Sequence, residues 1–166
     1  MLADAPCPPR FEGIQTFREV LSLMGERFES GTQIVNIGAK LTKNKENHDF
    51  AWDVVHRLYK GPGMHVLAVE AMADNFAEIK HNIPRMVGSQ HNISVVNMFA
   101  HSDTIVNLLE VHGIRRRFAL LKMDIDSADY AVVNAILAAG FRPAMIFVEC
   151  PQRGSNARLA PPSCMN

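Results

Sequence analysis

Cysteine is scarce in this chain and poorly spaced for chemistry. Only Cys7, Cys150 and Cys164 occur, with no CxxC pair. That leaves no basis for a disulfide framework or a zinc knuckle and fits a reduced, cytoplasmic compartment. An excess of one charge is lacking too. The 17 basic residues balance the 17 acidic ones, which argues against a nucleic-acid partner recruited by general basicity. The one basic run, Arg115-Arg116-Arg117, reads as a solvated loop or an anion contact. No apolar stretch approaches the roughly 18 residues of a membrane span, so no membrane partner is expected. The opening MLADAPCPPR lacks the basic flank and apolar run of a secretory signal. The 7 histidines show neither HxH nor HExxH spacing, so no metal centre is expected. There is no internal repeat.

What is present is alternation. At 166 residues the chain suits one domain, expected over residues 11–150 between a Pro-rich, disordered stretch at 1–10 and a coil tail at 151–166. Apolar residues three and four apart from Phe11 to Phe28 predict an opening helix. Strands are expected at Thr32 to Ala39, Met64 to Glu70, Ile93 to Ala100, a stretch from Phe118, and Ala144 to Cys150. Between them fall helices at His48 to Tyr59, at Ala73 to Asn82 with Pro84 as the stop, from Ser102 or Asp103 to His112, and one capped by Asp126 or Ser127. Strands alternating with helices imply an α/β, doubly wound, parallel sheet with right-handed crossovers, in the order 3-2-1-4-5 and with helices on both faces. The apolar fifth strand would then be an exposed edge, open to a homodimer contact or to aggregation.

In such sheets ligands bind beyond the carboxyl ends of the strands, which singles out a few residues. Gly38, in the turn Asn36-Ile37-Gly38-Ala39, either lets the backbone approach a ligand or packs helix on sheet. Glu70 closes the second strand, where an acidic residue accepts from both hydroxyls of a ribose; the plain alternative is a helix-starting glutamate. Asp124 and Asp126, two apart, share a face while the strand lasts. They suit a hard cation, a ligand ammonium, or proton abstraction as a general base; otherwise they are a strand end and a helix cap. Lys122 shares the face of Asp124 and puts a cation beside it. Glu149 ends the fifth strand at the same edge, His101 follows the third, and Met98-Phe99 either flanks an adenine ring or packs in the core. The G-x-G-x-x-G fingerprint is absent, since Lys40 and Lys43 take the later positions.

The segment LLKMDIDSADYAVVNAILAAGFRPAMIFVE is similar to the Lys-x-Asp-x-(Asp/Glu)-Gly pattern, Tyr-containing helix and Val-Glu strand of the FkbM-type methyltransferases. IVNIGA resembles their first motif, VLAVEAMADNF the second, and SDTIVNLLEVHGIRRRFALL the stretch before the acidic motif. The resemblance covers about Gln33 to Glu149. It implies a Rossmann-like fold, S-adenosyl-L-methionine as cofactor, and O-methyl transfer to a hydroxyl of a small-molecule or glycan acceptor. It further implies cofactor contacts from Asn36, Gly38, Ala39, Glu70 and Asp124, with Asp124 or Asp126 as the catalytic base. Three positions depart from the pattern: Asn36 stands where an acidic residue is usual, Thr42 where a second glycine is, and Ser127 where a glycine follows Asp126. The family also continues past the fifth strand, so a truncated or alternatively ended product is expected. A second reading is a catalytically inactive relic that binds nucleotide or a protein partner. A third, an NAD-dependent oxidoreductase, lacks its glycines.

Overall fold

The computed structural model describes residues 32–41, 49–55, 63–87, 91–125 and 128–148. The opening helix, the two termini, Thr42, Asp126, Ser127, Glu149 and all three cysteines lie outside them. Five strands form one parallel sheet in the order β3-β2-β1-β4-β5: β1 (Gln33–Ile37), β2 (His65–Glu70), β3 (Asn92–Asn97), β4 (Arg117–Met123) and β5 (Arg142–Val148). The helices are α1 (Phe50–Asp53), α2 (Ala73–Val87), α3 (Ser102–Val111) and α4 (Asp129–Ala138). This is the doubly wound α/β, Rossmann-like arrangement that the alternation predicts.

The burial pattern explains the layers. All five residues of β1 are buried, as a central parallel strand covered on both faces requires. Ile34, Val66, Ala68 and Leu120 face one layer, with Trp52 of α1 and Ile79 and Ile83 of α2. Val35, Ile37, Leu67, Val69, Leu121 and Met123 face the other, with α3 and α4. The chain moves outward from β1 to β3, then crosses to β4 and outward again to β5. Right-handed crossovers in opposite directions place the two helix pairs on opposite faces. Phe141 is fully buried, its ring edge-on to Phe118 at 6.4 Å, a burial worth roughly 1.5–3 kcal/mol. Among the described residues no helix is long and apolar enough to cross a membrane.

Several boundaries differ from expectation, each for a local reason. Helix α2 does not stop before Pro84 but runs through it to Val87. Proline removes one backbone donor, and Ile79 and Ile83, one turn apart and both fully buried, keep the helix on the sheet. Strand β3 ends at Asn97, where the Asn97 Nδ2 donates to the carbonyls of Glu70 and Ala71 at 2.9 and 3.0 Å and the Met98 N–H makes a last bond to β2, to the Glu70 carbonyl at 3.1 Å. The N-cap of α3 is His101, whose Nδ1 accepts from the Asp103 N–H, not Ser102 or Asp103. The N-cap of α4 is Ala128, with no side-chain cap, in place of the expected Asp126 or Ser127. Strand β5 starts two residues early, at Arg142, and takes Pro143 into the ladder. An edge strand tolerates proline because its outward N–H has no partner to lose. Helix α1 widens into a π turn at Val54–Val55.

The basic run has a structural task at the amino edge of the sheet. Arg116 donates to the Ala139 carbonyl at 2.8 Å, pairs with Glu110 at 2.7 Å, and lies 4.3 Å over the Phe141 ring. Arg142 donates to the Leu137 carbonyl. Both guanidinium groups thus meet the last carbonyls of α4, where a helix end favours cations. Beside them, the Gln33 Oε1 accepts from the Arg115 N–H at 2.7 Å, which turns its Nε2 toward the Gly113 carbonyl and the His65 Nδ1. The His65 imidazole is therefore an acceptor, and burial, followed by the charges of His112 and Arg115, holds its pKa below the ordinary 6.5.

The sign of the linkage follows. Near pH 6.5 and just below, the unfolded chain holds a proton on His65 that the folded chain does not. Stability present above that pH is lost as pH falls through the window between the unfolded and the lower folded value. The urea midpoint is expected to drop from pH 8 to pH 5, and to drop less in His65→Gln. An identical pH dependence in the two proteins would remove His65 as its source.

Candidate functional site

Three strand ends converge at the carboxyl edge. Beyond β1 the chain turns at Gly38, with φ of 72°. The Gly38 and Ala39 N–H groups both donate to the Val69 carbonyl, at 2.9 and 3.0 Å, which ties this turn to β2. The Asp124 N–H donates to the Ile37 carbonyl at 3.0 Å, which brings the end of β4 across the same turn. A Cβ on Gly38 would fall inside the Asp124 carbonyl group. The glycine is therefore required by the chain's own crossing, apart from any ligand.

The cleft above these turns has a volume of about 350 Å³. Gly38, Lys40, Glu70, Met72, Asn75, Met98, Phe99, Asp124 and Ile125 are among its lining residues. Glu70 is 6% exposed. Its Oε1 accepts from the Met72 N–H at 2.7 Å and from the Asn75 Nδ2 at 3.3 Å; among the described residues its Oε2 takes no hydrogen bond. Met72 and Phe99 stand exposed at the cleft, Phe99 at 77%. The strand alternation that paired Asp124 with Asp126 ends at Met123, and Ile125 instead turns its N–H to the Asp129 Oδ1 at 3.1 Å.

Beneath the floor lies a buried polar cluster. The Asn36 side chain is fully buried and donates through Nδ2 to the Asp49 Oδ2 at 3.0 Å. The same Oδ2 accepts from the Lys40 N–H at 2.9 Å, and Oδ1 from the Ala51 N–H at 2.9 Å. Asp49 is thus the N-cap of α1 as well as the hub of the cluster. Lys122, 2% exposed, donates from Nζ to the Gly38 carbonyl at 2.8 Å and reaches the Asp124 Oδ2 at 3.3 Å and the Asp49 Oδ2 at 3.5 Å. The Asn36 Oδ1 and the Trp52 Nε1 are buried, with no hydrogen-bond partner among the described residues.

Of the residues singled out by sequence, the structure brings Gly38, Glu70, Met98, Phe99 and Asp124 to one cleft. Asn36 and Ala39, each 0% exposed, lie behind its wall. Asp126 and Glu149 fall outside the described residues. His101 is exposed and serves as the N-cap of α3. Asp49 was missed, although an Asp directly before the apolar Phe50-Ala51-Trp52 carries an N-cap signature. Lys40, Met72 and Asn75 were missed too, being ordinary turn and helix residues in sequence. Among the described residues no group of His, Cys, Asp and Glu could hold a metal ion. Comparison with protein-family models, curated proteins and solved structures finds no match.

Proposed function

We propose that the chain is an S-adenosyl-L-methionine-dependent methyltransferase-type domain acting on a hydroxyl of a small-molecule or glycan acceptor. The observation that carries the reading is the meeting of the Glu70 and Asp124 carboxylates in one cleft at the end of β2 and β4. Carboxylates accept from hydroxyl and ammonium groups and repel phosphate. The Glu70 Oε2 is open to a ribose hydroxyl, the exposed Met72 and Phe99 offer apolar surface to an adenine, and Gly38 and Asp124 border the methionine end.

The helix following β1 argues against a dinucleotide. In dinucleotide-binding folds its N-terminal amides hold the diphosphate. Here the Ala51 N–H already donates to the chain's own Asp49, so that amide is taken and does not offer itself to a phosphate.

The bound cofactor supplies a methyl group on a cationic sulfur. The acceptor hydroxyl must then lose a proton. Asp124, its side chain 24% exposed and its Oδ2 fixed by Lys122, is the carboxylate at the cleft suited to receive it. Alignment of acceptor and methyl group contributes more than base strength in such a transfer.

Calorimetric titration of the full chain with S-adenosylmethionine, S-adenosylhomocysteine and NAD tests the reading. Saturable binding of the first two and not of NAD is expected. Binding of NAD alone, or of none of the three, overturns it, and binding without turnover across hydroxyl acceptors leaves a non-catalytic module. Glu70→Gln sharpens the test, because the amide oxygen still serves Met72 and Asn75 while a donor replaces the open oxygen. Cofactor affinity is expected to fall by about 1.5–3 kcal/mol, roughly 10–150-fold, with little change in the melting temperature of the free chain. Wild-type affinity would take Glu70 out of the site.

A further inference from the structure

We infer that Asp49 and Lys122, which lie beneath the cleft, set the charge on its floor and select a ligand that brings a positive centre to Asp124. The Lys122 ammonium has three hydrogens and three acceptors: the Gly38 carbonyl at 2.8 Å, Asp124 at 3.3 Å and Asp49 at 3.5 Å. One cation is thus shared between two carboxylates, and one negative charge is left over. Its place follows from access. The Asp49 side chain is 1% exposed and surrounded by the donors of Asn36, Lys40 and Ala51, whereas Asp124 is 24% exposed and lines the cleft. The surplus is therefore presented at Asp124.

Buried charges are weakly screened. The facing Lys40 is exposed, where solvent damps its effect, and Glu70 adds a second carboxylate to the lining. Asp49 already has a place as the N-cap of α1; the charge reading follows from its sharing of Lys122 with Asp124. Asp49 and Lys122 are positioning residues in this scheme, and the scheme rests on the proposed cofactor only for the identity of the positive centre, a sulfonium or an ammonium.

The test needs no cofactor, so its failure and that of the methyltransferase reading are separate. Paramagnetic relaxation of the Phe99 and Ile125 amides is measured in the full chain with a cationic and an anionic nitroxide of matched size. In the wild type the cationic probe is expected to act severalfold more strongly. Asp49→Asn leaves Lys122 to Asp124 alone and should cut the cation excess to the smaller one that Glu70 sustains. Asp49→Asn with Lys122→Met removes one charge of each sign and should restore the cation excess. Parity or an anion excess in the wild type, or an unchanged excess in Asp49→Asn, overturns the inference. Should Asp49→Asn fail to fold, the double variant decides, since loss of the excess there overturns it equally.

Discussion

Gly38→Ala is expected to remove about 2–5 kcal/mol of folding stability, from two sources. The first is backbone: φ at Gly38 is 72°, and a left-handed conformation costs a residue with a Cβ roughly 1–2 kcal/mol. The second is overlap. The added Cβ falls inside the Asp124 carbonyl group, with the Ile125 Cγ2 a further 3.3 Å neighbour. Neither carbonyl nor turn can give way alone, because Asp124 is held to Ile37, and the Gly38 amide to Val69. Forcing extra volume into packed structure costs roughly 1–3 kcal/mol. Against a total stability of about 5–15 kcal/mol, that is a large fraction. Gly113→Ala is the control: its φ is 65°, yet a Cβ there meets nothing within 4 Å, so only the backbone cost of about 1–2 kcal/mol applies. Urea denaturation of the two variants separates the terms. Equal losses would mean that β4 does not cross the Gly38 turn as closely as described.

The same crossing shows how far the sequence was legible. Strands β1, β2 and β4 were readable because a parallel strand covered on both faces must be apolar nearly throughout, and their order follows from alternation with helices. The edges were less readable. Strand β5 takes in Arg142 and Pro143, residues that no central strand would accept, because its outer side has no ladder to break. Helix α2 passes Pro84 because two buried isoleucines outweigh one lost hydrogen bond, a tertiary fact that local pattern does not carry. At the site, Glu70 and Asp124 could be read as charges ending apolar strands. Asn36 was expected at the cofactor through the family resemblance, but its partner is Asp49, 13 residues on. The missing information was the pairing: a polar strand residue looks the same in sequence whether it faces a ligand or a buried carboxylate. Gly38 illustrates the converse, since both readings of a turn glycine assumed an external or a helical neighbour, and the neighbour is the backbone of β4.

That buried pairing carries the second large effect. Lys122→Met is expected to cost about 3 kcal/mol, the lower part of the roughly 3–5 kcal/mol typical when one member of a buried ion pair is removed. The methionine fills most of the lysine's space, so packing is not the main loss. What remains is the Asp49 carboxylate, 1% exposed, without its cation, and the Gly38 carbonyl without its donor. The cost stays at the low end because Asp49 keeps the Asn36, Lys40 and Ala51 donors and caps the N-terminus of α1, both of which stabilise an anion. Asp49→Asn alone is destabilising for the mirrored reason, since it leaves Lys122 with one carboxylate and puts an amide donor among donors. Combined with Lys122→Met, it removes both charges together, and replacing a buried pair as a unit is far less costly than breaking it. The double variant should therefore lose at least about 1 kcal/mol less than the sum of the single losses, the size of coupling found between groups in contact. Urea denaturation of the four proteins at pH 7 measures it. Strict additivity would show that Asp49 and Lys122 do not interact in solution, and the buried hub would then be two independent contacts that happen to share a floor.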